Sequence, residues 1–240
     1  MNAFDMEEER SYFDSSTMRK GIYSSRGFNM RWKNMLCSFV VCAALMICGF
    51  LYLDVRLAEF VSEKAGVDFL LSEGVSNLPD LLLILVCVIT VVSWTARLYL
   101  ARKWPKSPIL DFPELIGLTV PCTYVLKDLL KDLFGRTNTR IWLLHPDLLG
   151  FHWFQGGGDF ASFPSGHMAV FTALMLGIGR CFPRLRPVCA GSLLVLALAL
   201  IATQYHFFSD LLAGAYLGVI VDLITWRGLA YFHDSKSPAS

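Results

Sequence analysis

The sequence predicts an all-α protein, a six-transmembrane helical bundle with its N- and C-termini in the cytoplasm. Its 240 residues are 55% hydrophobic and only 17% charged, with a mean hydropathy of +0.50, too apolar for a soluble domain of this size. Six stretches approach the roughly 20 apolar residues needed to cross about 30 Å of hydrocarbon. No alternating strand pattern accompanies them, and helices close their own backbone hydrogen bonds in lipid.

The elements follow in order. Residues 1–34 form an N-terminal tail that mixes acidic, basic and aromatic residues and lacks the short basic start of a signal peptide, so the first apolar run is expected to stay as an anchor. Residues 35–230 form the membrane domain. Its spans are Met35 to Leu53, Pro79 to Leu100, Phe112 to Lys131, Ser165 to Phe182, Pro187 to Tyr205 and Ser209 to Trp226. Between the first two, Val55 to Asn77 sets Phe60, Val67 and Phe69 among acids, the pattern of an amphipathic surface helix or a plain connector. Residues 231–240 form a C-terminal tail.

Charge sets the orientation. Fifteen basic residues, among them Arg31 and Lys33 before the first span, Arg97, Arg102 and Lys103 after the second, and Arg180, Arg184 and Arg186 after the fourth, fall on one side. The positive-inside rule makes that side cytoplasmic. On the other side Arg56 and Lys64 are diluted by acids including Asp54, whereas Lys127, Lys131, Arg136 and Arg140 break the rule and ask for a local reason. All seven cysteines lie in or beside apolar spans with no Cys-x-x-Cys pair, so they read as packing residues.

The same topology brings His167, in the run Phe163-Pro164-Ser165-Gly166-His167, to the outer face with His206 and Asp210, in His206-Phe207-Phe208-Ser209-Asp210. Lys131 arrives there too. Each piece has a plain reading: His206 as an interfacial residue, Asp210 as a cap beside Ser209, Ser165-Gly166 as a helix start. Their convergence at one depth favours chemistry, since ionisable residues at membrane helix ends are costly. Two imidazoles suit attack on phosphorus and proton delivery to a leaving oxygen near neutral pH.

The pattern resembles the phosphatidic acid phosphatase type 2 superfamily. Phe-Pro-Ser-Gly-His at 163–167 resembles its second signature, and His-x-x-x-Asp at 206–210, followed by Leu211-Leu212-Ala213-Gly214-Ala215, its third. Lys131-Asp132-Leu133-Phe134-Gly135-Arg136 resembles the start of its first. The likeness spans about residues 127–218. Two positions depart from it: the first signature has Arg-Pro where this chain has Asn138 and Thr139, and the third has Ser-Arg where it has Ala199 and Leu200. Leucine cannot imitate the paired bonds of a guanidinium to phosphate. Either Arg140 or Arg136 reaches into the vacancy, or the substrate is held differently, or activity is weak.

The resemblance implies roles. His206 is the nucleophile that forms a phosphohistidine, Asp210 orients its ring, and His167 protonates the leaving oxygen and then activates water. Lys131, Arg136 and Arg140 hold the phosphoryl oxygens, with Ser165 and the amide of Gly166 at a helix N-terminus. No cofactor and no metal is expected. The expected substrate is a phosphorylated lipid hydrolysed at a phosphomonoester or phosphoanhydride, on the periplasmic face of a bacterial inner membrane; no nucleic-acid partner is expected. Two other readings stay open: a phosphotransferase passing the phosphoryl group to a lipid or sugar hydroxyl, and a non-catalytic anion-binding or transport protein. The Trp153–Phe160 loop, with Gly156, Gly157 and Gly158, reads as a flexible segment rather than a phosphate loop.

Overall fold

The computed structural model describes residues 32–65, 78–105 and 107–235. Most of the N-terminal tail, residues 66–77 of the expected amphipathic segment, and the end of the C-terminal tail lie outside that set.

The described residues form helices and turns, with one isolated bridge between Arg136 and Phe151. Helix α1 (Trp32–Cys48) passes through a π-helical segment (Gly49–Leu53) straight into α2 (Asp54–Ala65). The described part of the expected amphipathic segment or connector, Val55 to Ala65, is therefore a continuation of the first helix and not a separate element. Asn34–Lys64 is one 31-residue run, about 46 Å at 1.5 Å per residue, longer than the hydrocarbon it has to cross. In the π segment the Asp54 N–H bonds the Gly49 carbonyl, an i→i−5 bond. Asp54 is buried although Leu51, Tyr52 and Leu53 before it are exposed.

Helices α3 (Leu78–Lys103), α4 (Asp111–Phe134), α6 (Gly166–Cys181), α7 (Arg186–Ala202) and α8 (Phe208–Ser235) follow, with the short α5 (Thr139–Leu144) between α4 and α6. Four runs are long and apolar enough to cross a membrane: Asn34–Lys64, Asp80–Lys103, Pro183–Ala202 and Phe208–His233. The other two expected spans form helices of a different character. Helix α6 has only 16 residues, and α4 carries Asp111, Glu114, Lys127, Asp128, Lys131 and Asp132 along its 24 residues. Helix α6 packs between its neighbours, and α4 turns Asp111 and Lys127 inward while Asp132, Val125 and Leu129 on its other side stay exposed. Helix α8 runs to Ser235, beyond Trp226, and Glu114 lies 3.3 Å from His233 near its end.

The tightest packing joins α6 to α8. A Cβ at Gly214 would stand 2.3 Å from the Ser165 carbonyl oxygen, and one at Gly218 would stand 2.5 Å from that of Ala169. Two glycines four residues apart therefore let the backbones meet, as small-residue pairs do in membrane helices. Leu82, Val86, Ile116, Val120 and Val170 form the core between α3, α4 and α6, while Leu115, Trp226 and Leu229 join α4 to α8. Large apolar side chains on α1, α3 and α7, such as Val40, Val91 and Leu198, point outward, as a surface facing lipid requires.

Candidate functional site

The end of the bundle where α4 stops and α6 and α8 start gathers the polar residues. Helix α4 closes on Gly135, whose left-handed conformation (φ 55°) lets its N–H return to the Lys131 carbonyl at 2.9 Å. A Cβ there would fall 1.9 Å from the His152 carbonyl oxygen. The chain then folds back over residues 136–164, and the Ser162 N–H bonds the Arg136 carbonyl at 3.1 Å. Phe134, Phe151, Trp153 and Phe163 pack their rings around this loop. The three glycines divide the work. Gly156 lies against α4, where a Cβ would stand 2.2 Å from the Asp132 Cα, whereas Gly157 and Gly158 adopt positive φ with open space beside them.

His206 sits on the short connection between α7 and α8 and is buried. Its Nδ1 lies 3.6 Å from Oδ2 of Asp210 and 3.4 Å from Oγ of Ser162. Ser162 donates to that same Oδ2 at 2.6 Å, so the hydroxyl ties the acid to the ring. Oδ2 also accepts the Phe207 N–H at 3.0 Å. Asp210 thus closes the first turn of α8 in the manner of a capping box while facing the histidine, so the cap and the ring partner are one residue. Nε2 of His206 is buried with no hydrogen-bond partner among the described residues. Burial lowers the pKa of the ring, opposed first by the Asp210 side chain facing Nδ1 and by its charge, while Lys131 pushes it down further.

Arg136 is among the most buried side chains of the protein, 1% exposed. Its Nη1 donates to Asp210 Oδ1 and, at 2.6 Å, to Ser209 Oγ, and its Nη2 donates to Asp54 Oδ2 at 2.6 Å. The rings of Phe50, Phe151 and Phe207 surround the guanidinium with centroids 4.7 to 5.3 Å away. Arg140 lies elsewhere. Its Nε and Nη2 donate to the Thr203 carbonyl at 3.3 and 2.9 Å, at the end of α7, and its guanidinium is 5.8 Å from the Tyr205 ring.

Ser165 caps α6, accepting the Met168 N–H, and its own N–H bonds the Asp210 carbonyl at 3.0 Å. The starts of α6 and α8 are therefore fastened together. Gly166 gives room to a lysine stem: a Cβ would meet Lys127 Cδ at 2.8 Å. Lys127 is buried, pairs with Asp128 and stands 3.9 Å over the Tyr124 ring. His167, one residue into α6, is half-buried against Tyr205, whose ring lies 5.8 Å from it and 5.1 Å from His206, near-perpendicular to both. Lys131 is half-buried at the end of α4, and its charge acts on both His206 and Asp210.

The structure thus joins His206, Asp210, Arg136 and Ser165 by hydrogen bonds or close approach, links His167 and Arg140 through Tyr205, and brings Lys131 within electrostatic reach. It adds Asp54, Ser162 and Tyr205, which motif spacing does not single out, and gives Ser209 bonds to Arg136 and Asp54 beyond any capping role. The two departures from the resemblance have local explanations. Asn138 caps α5, its Oδ1 accepting the Arg140 N–H at 3.0 Å. Leu200 packs with Met168 and Leu211 in an apolar cluster. Asp111, Glu114 and His233 bring possible metal-ligand atoms within 4.8 Å of one another, but at the other end of the bundle. There Arg97 lies 3.3 Å from Glu114 and already supplies a cation.

Two curated proteins are similar in sequence to part of this chain. The chain is 30% identical over 113 residues to a lipid A 1-phosphatase of Rhizobium johnstonii, covering 45% of this chain and 43% of that protein. It is 30% identical over 116 residues to a lipid A 1-phosphatase of Rhizobium etli, covering 46% and 49%. The matched stretch spans less than half the length of either curated relative. No solved structure matches the chain. The model of the PAP2 superfamily matches residues 115–234, half of the sequence and the stretch that holds both histidines, the paired aspartate and the lysine-arginine turn, so the chain belongs to the PAP2 superfamily.

Proposed function

We propose that this protein is an integral membrane phosphatase that hydrolyses a lipid phosphate or diphosphate through a phosphohistidine on His206. The observation that carries the reading is the asymmetry of that ring: Nδ1 faces Asp210 and Ser162, and Nε2 is buried with no partner among the described residues. A buried nitrogen left over in this way asks for a functional reason. With Nδ1 carrying the proton, the Nε2 lone pair attacks phosphorus. The bond from phosphorus to the leaving oxygen breaks, and that oxygen takes a proton from the His167 imidazolium. In the second step neutral His167 removes a proton from water. The resulting hydroxide displaces His206 from phosphorus and returns the electron pair to Nε2.

Asp210 holds the ring and balances its positive charge in the intermediate. Lys131 and Arg140 are the cations placed to meet the phosphoryl oxygens, with the N-terminus of α6 beside them. Arg136 gives Nη1 and Nη2 to Asp54, Asp210 and Ser209, keeps only a buried Nε without a partner among the described residues, and acts from behind. The Tyr205 ring packs on both imidazoles, so a phosphoryl group bridging them displaces it. No step in this scheme calls for a metal. The names of the relatives support a glycolipid phosphate such as lipid A among the candidate substrates.

We place the site on the periplasmic face of an inner membrane, with six spans and both termini cytoplasmic. The ends of α3 and α6 that carry Arg102, Lys103 and Arg180 lie at the end of the bundle away from His206, and the positive-inside rule puts that end in the cytoplasm. The test is release of inorganic phosphate by purified protein and by His206→Ala, with chelator present, across lipid monophosphates and a polyprenyl diphosphate. Release that needs His206 is expected. Release that survives its loss, or appears only when a hydroxyl acceptor is added, would reject hydrolysis through this histidine.

A further inference from the structure

We propose that Asp54, at the junction of the π segment and α2 and outside the region matched to the family, is a positioning residue of the site, acting through Arg136 and Asp210 on His206. The inference rests on the reading of His206 as nucleophile. Asp54 lies 82 residues from Arg136 and 155 from Ser209 in sequence, yet it bonds both. Its Oδ2 accepts Arg136 Nη2 at 2.6 Å and the Ser209 hydroxyl, and its Oδ1 accepts the Ser209 N–H at 2.9 Å. The other end of the same guanidinium holds Asp210. All four side chains are at most 2% exposed. Gly49, one helical turn before Asp54, lets the helix come close: a Cβ there would stand 3.3 Å from Ser209 Cβ. Farther along, Gln204 Nε2 donates to the Ala58 carbonyl at 2.7 Å and fastens α2 beside the His206 connection.

Charge counting gives the arrangement a purpose. Two carboxylates and one guanidinium leave one net negative charge, buried behind Nδ1 of His206. Neutralising Arg136 needs one carboxylate; the second leaves the excess that a buried cationic ring requires for balance. The His206 ring becomes cationic when Nε2 bonds phosphorus with Nδ1 still protonated. Asp54 also fixes the position of Arg136, and Arg136 that of Asp210, as outer partners orient the groups that do chemistry.

The experiment uses the full chain in detergent or nanodiscs. It compares wild type, Asp54→Asn, the pair Asp54→Asn/Arg136→Gln, and His206→Ala, which assigns the His206 signal. Two quantities are read: kcat and KM on a lipid monophosphate that wild type hydrolyses, and the midpoint of His206 followed by NMR of ring-labelled histidine without substrate. The charged and titratable groups around that ring are Asp210 of α8, Lys131 of α4, Tyr205 of its own connection with His167 of α6 beyond, and Arg136 with Asp54 behind. Asp54→Asn makes the surroundings more positive by one charge, so the midpoint is expected to fall. The same variant should lose about 10–100-fold in kcat with KM little changed. The pair restores the wild-type charge count, so its midpoint should return to or above that of wild type.

Wild-type kcat and midpoint in Asp54→Asn would overturn the proposal. So would a loss of kcat with an unmoved midpoint, the mark of a helix staple alone. If Asp54→Asn fails to fold, the pair decides: a midpoint below wild type rejects the charge argument. If wild type shows no His206-dependent hydrolysis, the functional reading fails by itself, while the midpoints still test whether Asp54 reaches His206.

Discussion

Ser162 donates its hydroxyl proton to Oδ2 of Asp210 at 2.6 Å, and its oxygen stands 3.4 Å from His206 Nδ1. It therefore occupies the corner between ring and carboxylate. Ser162→Ala leaves a buried carboxylate oxygen one donor short, a loss of about 1–3 kcal/mol for such a group. The expected outcome is a fall of about tenfold or more in kcat with KM little changed, together with a lower unfolding temperature, read by steady-state kinetics and thermal melts. Wild-type kcat would show that Asp210 holds the ring unaided.

The two histidines should respond differently to the leaving group. His206→Ala is expected to abolish turnover on every substrate, since the phosphorus acceptor is gone. His167→Ala is expected to lose about 10²–10⁴-fold in kcat/KM, which reports departure of the leaving group and not the later attack of water, on a lipid alkoxide but much less on an aryl phosphate, whose leaving group needs no proton. Equal losses on both esters would contradict the acid role of His167.

Arg140 has two of its guanidinium nitrogens fixed by the Thr203 carbonyl, with the group 5.8 Å from the Tyr205 ring. If it takes the place of the guanidinium that Leu200 cannot offer, Arg140→Ala should raise KM about 10–100-fold, the scale of one charge-assisted hydrogen bond. Near-wild-type KM and kcat would limit Arg140 to joining α5 to the end of α7.

Burial holds the His206 pKa below its ordinary value of 6.5, so the neutral ring persists into mildly acidic solution. A nucleophile must be unprotonated, and the acid limb of kcat/KM is expected below pH 6.5. Asp210→Asn removes the charge that opposes this lowering, so the limb should move to still lower pH as the rate falls. The stability sign is the same: the unfolded chain binds this proton more readily, so the contribution is present above the unfolded value and is lost as pH falls below it toward the folded one. A limb above 6.5 in the pH-rate profile would contradict the burial argument.

Gly218→Val places a side chain where a Cβ alone would be 2.5 Å from the Ala169 carbonyl, against backbone that cannot yield. Separation of α6 from α8 would disturb the nearby Ser165–Asp210 fastening, so activity and thermal stability should fall together, by about 1–3 kcal/mol in stability. Gly228→Ala, where nothing among the described residues lies within 4 Å of the new carbon, should leave both unchanged.

Composition and local pattern determined much of this protein. Long apolar runs can only be helices in lipid, Gly135 can end a helix in the left-handed region, and Ser165 can cap the next. Phe163 to His167 and His206 to Asp210 are short enough to be legible as motifs, and the chemistry expected of them is what the family resemblance implies. The partners that make those residues a site were decided by the tertiary structure. Asp54 reads as one more acid at the end of an apolar run until α2 continues α1 and lays it on Arg136. Ser162 is an ordinary loop serine until the loop folds back onto Asp210. Arg136 reads from its motif only as a cation near phosphate, and the tertiary structure adds that its Nη1 and Nη2 bond two buried carboxylates while its Nε has no partner among the described residues. Helix ends and caps are set by neighbours along the chain, whereas buried charges must be balanced by whatever packing brings near, at separations that spacing does not encode.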